Sequence, residues 1–263
     1  MKTVISKDGT AIAYDQSGHG PPVILVDGAL CSRAFGPMPK LAPLLAKDFT
    51  VINYDRRGRN ESADTAPYAV EREVEDLAAL INEAGGSACV LGLSSGAALA
   101  LAAASSGLNI KRLALYEPPF VANANGGHQP PPDSQAHLKR LISDNRRGDA
   151  VKFFMTKMVG APAFVAIVMP FTPVWKKLKA AAHTLPYDAA VMGDFTVPTK
   201  RVASVAVPTL VLGGGKSPAG LRQAVDAVAD AVPNAQRRML KGQTHNVALK
   251  VLAPVVAEFL SCN

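Results

Sequence analysis

Short, largely apolar runs alternate with segments of helical periodicity along most of this 263-residue chain. Runs of this length and character are typical of strands that are covered on both faces. They occupy residues 22–26, 49–54, 88–91, 112–116 and 207–212. Between them, segments such as 70–84 repeat apolar residues every three or four positions, as an amphipathic helix does. We therefore predict an α/β fold with a mostly parallel, doubly wound sheet of about eight strands.

The two ends of the chain extend this pattern. Two short runs at 3–5 and 11–14 flank an Asp-Gly turn, which predicts a hairpin at the edge of the sheet. After the last apolar run, the periodicity indicates a helix at 221–232, a strand at 236–240 and a closing helix at 247–260. Both ends of the chain are therefore expected to belong to one core.

The alternation of strands and helices stops between residues 120 and 197. A Gly- and Pro-rich stretch opens this segment, and several helical stretches with large apolar residues follow it. We expect it to be a helical cap over the carboxyl edge of the sheet, with residues 1–119 and 198–263 as the core domain.

Composition excludes several classes of function. The three cysteines have neither the spacing of a disulfide framework nor that of a metal site. The net charge is +7, but the cationic residues do not form a motif with interleaved aromatics, so we expect no nucleic-acid partner. We interpret the surplus of ten Lys and Arg over five Asp at 118–200 as a solvated surface; steering of an anionic substrate is the alternative. No apolar stretch matches a signal peptide or a bilayer span, which favours a cytoplasmic protein without a membrane partner.

The pentapeptide Gly-Leu-Ser-Ser-Gly, at residues 92–96, lies where an apolar strand run meets an alanine-rich helical run. A serine at a sharp strand-to-helix turn has a strained backbone, and glycines two positions away remove side chains that would collide there. Ser94 is therefore a candidate nucleophile. The backbone N–H of Ser95 would point at an oxyanion formed by attack on a carbonyl. The alternative is an ordinary turn built from small residues.

A serine nucleophile requires a base, and histidine is the usual one. His245 lies in the loop between the last strand and the last helix, which opens on the same sheet edge as Ser94. The other histidines lie near the start of the chain or in the insertion; they are His19, His128, His137 and His183. We therefore predict that His245 is the base.

The order of elements, the serine turn, the Tyr-Asp-Arg-Arg-Gly loop at 54–58 with Ser62 after it, and the His245 loop resemble the α/β-hydrolase family. The resemblance is to members with a serine nucleophile and a helical cap, and it covers the chain except for the cap sequence. It implies that Ser94 is the nucleophile, that His245 is the base, and that the backbone N–H of Ala29 is the second oxyanion donor. It also favours internal ion pairs for the arginines of the loop.

The chain departs from the family pattern in two places. Asp27-Gly28 stands where the family commonly has His-Gly; the oxyanion donor is a main-chain group, but the carboxyl changes the electrostatics beside it. The family usually places the acid of its triad at the segment that corresponds to 213–218, which holds no carboxylate here. Glu117, at a neighbouring strand tip before two prolines, is the candidate acid. Asp226 is the alternative, on a helix that is expected to direct it to solvent.

The candidate substrate contacts come from the oxyanion loop and from the cap. They are Gly28, Leu30, Phe154, Met158 and Trp175. We expect a small-molecule substrate, namely an ester, lactone or thioester with a mainly apolar acyl group, cleaved through an acyl-enzyme without a cofactor. The missing acid after the cap leaves two alternatives open: a non-hydrolytic enzyme of the same fold, lyase or isomerase-like, acting on a small natural product, or a catalytically inactive ligand-binding member.

Overall fold

The computed structural model describes residues 1–122 and 129–261, and His128 and Cys262 lie outside the described residues. An eight-stranded sheet has the order β1-β2-β4-β3-β5-β6-β7-β8. Its strands are β1 (Lys2–Ile5), β2 (Ala11–Ser17), β3 (Pro22–Val26), β4 (Thr50–Tyr54), β5 (Ala88–Leu93), β6 (Ile110–Tyr116), β7 (Thr209–Gly214) and β8 (Ala235–Leu240). β1 and β2 form an antiparallel hairpin at the edge, β2 is antiparallel to β4, and the other pairs are parallel. The predicted fold class is confirmed.

Helices cover both faces of the sheet. The α-helices are α1 (Met38–Leu45), α2 (Val70–Glu83), α3 (Ser95–Ser105), α4 (Ser134–Ser143), α5 (Arg147–Phe153), α6 (Phe164–Val168), α7 (Trp175–Ala181), α8 (Leu185–Met192), α9 (Thr199–Val202), α10 (Ala219–Ala231) and α11 (Leu249–Ser261). Helices α1 and α11 pack on one face, and α2, α3 and α10 pack on the other. No helix in the part of the chain that the structure describes is long and apolar enough to cross a membrane.

The continuously apolar sequence of β3 follows from its place between two cores. Val23 and Leu25 point into the cluster formed with α1 and α11. Ile24 and Val26 point into the cluster formed with α2, α3 and α10. Since successive side chains of a strand face opposite sides, a strand covered on both faces must be apolar at every position. The same arrangement brings the carboxyl ends of the parallel strands to one edge of the sheet.

The helices between β6 and β7 pack around a third apolar cluster. It includes Leu138, Leu185 and Met192 from the helices, and it also includes Leu30, from the loop after β3. A π-helical turn, Phe154–Met158, continues α5, and turns of this kind are frequent at functional sites. The helical segment thus contacts the sheet edge where β3 ends. The cap boundaries at 120 and 197 remain a prediction.

Candidate active site

Ser94 occupies a sharp turn between β5 and α3. Its φ of 55° and ψ of −124° lie in a region that non-glycine residues rarely adopt, and its N–H donates to the Tyr116 carbonyl at 2.9 Å. A side chain on Gly92 would place its Cβ 2.4 Å from the Gly96 carbonyl oxygen, and one on Gly96 would lie 2.2 Å from the Val26 carbonyl oxygen. Both flanking glycines are therefore required by the close approach of the backbone.

Glu117 and His245 meet at this edge of the sheet, although 128 positions separate them in the sequence. The Nδ1 of His245 lies 2.7 Å from Oε2 of Glu117. A carboxylate oxygen can only accept, so Nδ1 donates and Nε2 is left as the acceptor. Glu117 is fully buried, with a φ of 48°, whereas the side chain of His245 is 37% exposed. The Tyr116 hydroxyl donates to the Thr244 carbonyl at 2.6 Å, which holds the histidine loop in place.

The loop after β7 supplies hydrogen-bond donors to Glu117 rather than a carboxylate of its own. The Gly214 N–H donates to Oε1 at 2.7 Å, and the Ser217 hydroxyl donates to the same oxygen. A Cβ on Gly214 would lie 2.6 Å from the Gln243 carbonyl oxygen, so this loop packs directly against the histidine loop. Sequence reasoning missed Ser217, because nothing in its local pattern indicates a distant carboxylate. The alternative acid, Asp226, instead pairs with Arg237 at the surface, at 2.7 Å.

The loop after β3 passes close to the serine. A Cβ on Gly28 would lie 3.3 Å from Cβ and 3.9 Å from Oγ of Ser94. Leu30 has a φ of 63°, so a tight turn follows directly after Ala29. Gly28 and Ala29 line the same cavity as Ser94 and His245. The loop that carries Ala29 thus passes beside the predicted nucleophile, and Ser95, directly after Ser94, is buried.

Asp27 is a buried carboxyl group at the start of the same loop. Its Oδ1 accepts from the Gly28 N–H at 2.9 Å, so it bonds its own turn. Burial raises the pKa of Asp27 to about 7, although the Gly28 N–H and the charge of Arg59 oppose this shift. Burial and the neighbouring Asp27 also raise the pKa of the Cys31 thiol. Both groups are therefore held toward their neutral forms.

A cavity of about 610 Å³ opens above these residues. Gly28, Phe154 and Met158, which the sequence suggested as substrate contacts, line it together with Ser94 and His245. The further apolar lining residues, which the sequence did not single out, include Leu93, Val121, Met155, Val159, Met192, Phe195 and Leu221. The arrangement offers an apolar space that ends at a serine hydroxyl.

Two predicted substrate contacts lie elsewhere. The Leu30 side chain is buried in the third apolar cluster and is not among the residues that line the cavity. Trp175 borders a separate open depression, where its ring lies beside Gly148 and Lys179. Neither residue lines the cavity, because an apolar side chain in this region can pack within the helical segment without reaching the cavity.

The arginines after β4 form internal ion pairs. Arg56 binds Glu73, Arg57 binds Asp76 and Arg59 binds Asp188, and all six side chains are buried. Arg57 also forms an ion pair with a second carboxylate, Asp8. This part of the positive charge is therefore neutralised inside the protein. Within residues 1–122 and 129–261, no group of three His, Cys, Asp or Glu side chains is arranged to hold a metal ion.

Comparison with known proteins identifies relatives of this fold. An alpha/beta hydrolase from Sphaerobacter thermophilus DSM 20745 is 55% identical, over 99% of this chain and 100% of that chain, with a TM-score of 0.91. An esterase from Rhodococcus sp. ECU1013 is 20% identical, over 99% and 98%, with a TM-score of 0.72. A bromoperoxidase from Bacillus anthracis is 19% identical, over 99% and 100%, with a TM-score of 0.72. The search of curated proteins found no match.

The two relatives of low identity share the fold, and their activities differ. The family model covers nearly the whole of the present chain, including the serine turn, Glu117 and the histidine loop, since it matches residues 17–258. Together with the relative at 55% identity, this match assigns the chain: it belongs to the alpha/beta hydrolase family.

Proposed function

We propose that the protein is a cofactor-independent serine hydrolase that cleaves an ester, lactone or thioester with a mainly apolar acyl group. The observation that carries the proposal is the 2.7 Å contact between His245 Nδ1 and the buried Glu117. It supplies the acid that the segment after β7 lacks, and it orients the imidazole with Nε2 free to accept a proton. Ser94, on its strained turn, lines the same cavity as His245.

In the proposed reaction, Ser94 Oγ attacks the carbonyl carbon while His245 Nε2 takes the hydroxyl proton. The electron pair of the carbonyl double bond moves to oxygen, and the backbone N–H groups of Ala29 and Ser95 hold the resulting oxyanion. The tetrahedral species collapses, and the leaving alcohol or thiol takes the proton from His245. Water then attacks the acyl-enzyme with His245 again as base, which releases the acid and restores Ser94.

The walls of the cavity support the proposed substrate class. Its volume, about 610 Å³, is in the range of small-molecule sites, and Phe154, Met158 and Met192 contribute apolar surface to it. An apolar acyl chain gains free energy by leaving water for such a space. The basic surface of the helical segment does not enter into this proposal, because no Lys or Arg lines the cavity among the described residues.

The contact of Glu117 with His245 also bears on the alternatives. A lyase, an isomerase-like enzyme or an inactive ligand-binding member was suggested by the absence of a carboxylate at 213–218. That loop instead directs Gly214 N–H and the Ser217 hydroxyl onto Glu117, which is the arrangement expected for an acid held in place to serve His245. Hydrolysis is therefore the function that the site supports best.

The test is turnover of a panel of p-nitrophenyl esters, with labelling by a fluorophosphonate probe. We expect the wild type to hydrolyse the esters and to be labelled. In Ser94→Ala, labelling should be lost and kcat should fall roughly 10⁴-fold or more. Ser106→Ala is the matched control, because this exposed hydroxyl donates to the Ala102 carbonyl of its own helix at 2.9 Å, and both readouts should persist there. Labelling that is unchanged in Ser94→Ala would refute the assignment.

A further inference from the structure

A fully buried carboxylate of the helical segment, Asp188 in α8, reaches the core directly beneath the site. Both of its oxygens accept from Nη2 of Arg59, at 2.9 and 2.8 Å. Its Oδ1 also accepts from Nη1 of Arg56 and from the Ser95 hydroxyl, each at 2.8 Å. A buried charge must be paired, and here the pairing extends to residues of the oxyanion site.

Arg59 connects this carboxylate to the loop after β3. Its Nη1 donates to the carbonyl oxygen of Gly28 at 2.6 Å. That carbonyl belongs to the same peptide unit as the N–H of Ala29, and in a trans peptide the C=O and the N–H point in opposite directions. The peptide between Gly28 and Ala29 is trans. Holding the carbonyl on one side therefore sets the direction of the Ala29 N–H on the other.

Asp188 also contacts Ser95, the residue that supplies the other predicted oxyanion donor. The hydroxyl of Ser95 donates to Asp188, and Arg56 Nη1 lies 3.3 Å from the same hydroxyl and 3.4 Å from the Asp27 carbonyl oxygen. Ser95 is the first residue of α3. Both predicted oxyanion donors are thus connected to one side chain of the helical segment.

We propose that Asp188 is a positioning residue of the oxyanion hole: through Arg59 it orients the Gly28–Ala29 peptide, and through the Ser95 hydroxyl it holds the first turn of α3. Docking of α8 on the core then completes the hole, so the helical segment contributes to the reaction itself as well as to the walls of the cavity. This inference rests on the proposed hydrolase function.

The electrostatics of the cluster distinguish this role from simple anchoring of the helical segment. Burial would raise the pKa of Asp188, but Arg59 and Arg56 outweigh it and hold the pKa below its usual range, which favours the ionised form. Arg56 keeps Glu73 as a second carboxylate partner. Arg59 pairs with Asp188 alone among the carboxylates of the described residues. Loss of the Asp188 charge therefore acts chiefly on Arg59, the residue that binds Gly28.

The experiment compares Asp188→Asn with the wild type in kcat, KM, thermal midpoint and affinity for an aryl trifluoromethyl ketone. The ketone forms a tetrahedral adduct with a nucleophilic serine, and its oxyanion needs the same donors as the transition state. We expect kcat and ketone affinity to fall together, roughly 10- to 100-fold, which is less than the about 10²–10³-fold cost of removing a donor outright. KM should stay within about threefold, because the apolar walls are unchanged.

Tyr187→Phe is the matched control. It removes another link from α8 to the core, the hydrogen bond from Tyr187 to Asp64 at 2.8 Å, which does not involve the oxyanion loop. We expect its kcat and ketone affinity to match the wild type. Arg59→Lys is a second test variant, for use if Asp188→Asn does not fold. Lysine keeps the charge but has no planar fork that could bind Asp188 and the Gly28 carbonyl together. We therefore expect the same joint fall in kcat and ketone affinity.

Two results would overturn the inference. In the first, a folded Asp188→Asn or Arg59→Lys keeps wild-type kcat and ketone affinity while its thermal midpoint falls, which is the behaviour of an anchor only. In the second, Tyr187→Phe loses as much kcat as Asp188→Asn. Failure of the proposed function looks different, because the wild type would then neither hydrolyse esters nor bind the ketone at Ser94, and this inference would fall with it.

Discussion

The sheet edge and the helical segment above it contribute to the cavity in different ways. At the edge, polar groups stand on short turns, and three non-glycine residues there have positive φ: Leu30, Ser94 and Glu117. Such backbone strain persists only where the surroundings over-determine it, and it is common at active sites. The helical segment lines the cavity mostly with apolar surface, such as Phe154 and Met158, and Asp188, its one buried acidic side chain among the described residues, lies outside the cavity. We infer that the edge carries the reacting groups, that the apolar walls of the helices determine which substrate fits, and that Asp188 connects the two regions.

After the loss of Ser94 itself, replacing Glu117 by Gln gives the largest effect expected from the edge. The amide keeps the shape of the carboxylate, but its NH₂ group can face Nδ1 of His245 and favour the wrong tautomer. We expect kcat for p-nitrophenyl esters to fall roughly 10³- to 10⁴-fold with KM nearly unchanged. Asp226→Asn, which changes an exposed carboxylate, is the control and should keep wild-type kcat. A Glu117→Gln enzyme within about tenfold of wild type on these esters would contradict the role of Glu117 as the acid that serves His245.

Asp27 makes the edge sensitive to pH in a way that the apolar wall is not. Folding raises its pKa from 3.8 to about 7, so between these values the unfolded chain loses a proton that the folded chain keeps. The free energy of unfolding therefore falls as the pH rises through this window. Asp27 contributes at most about 4 kcal/mol to this fall in the free energy of unfolding, at about 1.4 kcal/mol for each pH unit. In Asp27→Asn this fall should be absent.

Urea unfolding at pH 5 and pH 8 measures this effect. The stability of Asp27→Asn relative to wild type should be greater at pH 8 than at pH 5. At pH 8 the wild type is destabilised by burial of the ionised Asp27 carboxylate, whereas the asparagine has no charge to bury. Asp226→Asn serves as the control, since this side chain is 46% exposed, and its stability relative to wild type should change little between the two pH values. Equal pH dependence in Asp27→Asn and wild type would contradict the assignment of a neutral, buried Asp27.

The smallest effect is expected in the helical segment. Phe154→Ala removes part of the cavity wall, whereas Trp175→Ala removes an aromatic ring outside the cavity. For Phe154→Ala, the ratio of kcat/KM between p-nitrophenyl octanoate and acetate should fall roughly tenfold, the scale of one lost apolar contact. For Trp175→Ala, the ratio should match wild type. A similar fall in both variants would show that the walls act through the packing of the whole segment.

The sheet and its edge could be predicted from the sequence because their signals are local. The continuous apolar run of β3 reflects burial on both faces, and Gly92 and Gly96 stand where a side chain would strike the backbone. Each signal comes from a few neighbouring residues. The position of Glu117 beside His245 followed from the order of parallel strands, which brings their tips to one edge.

The remaining parts of the site depend on contacts between distant segments. Asp188 lies 129 positions from Arg59 and 93 from Ser95, and its own sequence is that of an ordinary helix start. Ser217 likewise reaches Glu117 across 100 positions. Trp175 and Phe154 are both large apolar residues of short helices, and only the packed structure shows which of them faces the cavity. Side-chain direction in such irregular helices is decided by tertiary packing, which no periodic pattern encodes.

Intact-mass analysis during turnover of a slowly deacylated ester tests the central claim most directly. The account predicts a protein whose mass is increased by one acyl group, carried after digestion by the peptide that contains Ser94. Cys31 is the competing nucleophile to consider, because its thiol lines the same cavity, although burial raises its pKa. An acyl group on the Cys31 peptide, or product formation without any acylated protein, would contradict the account.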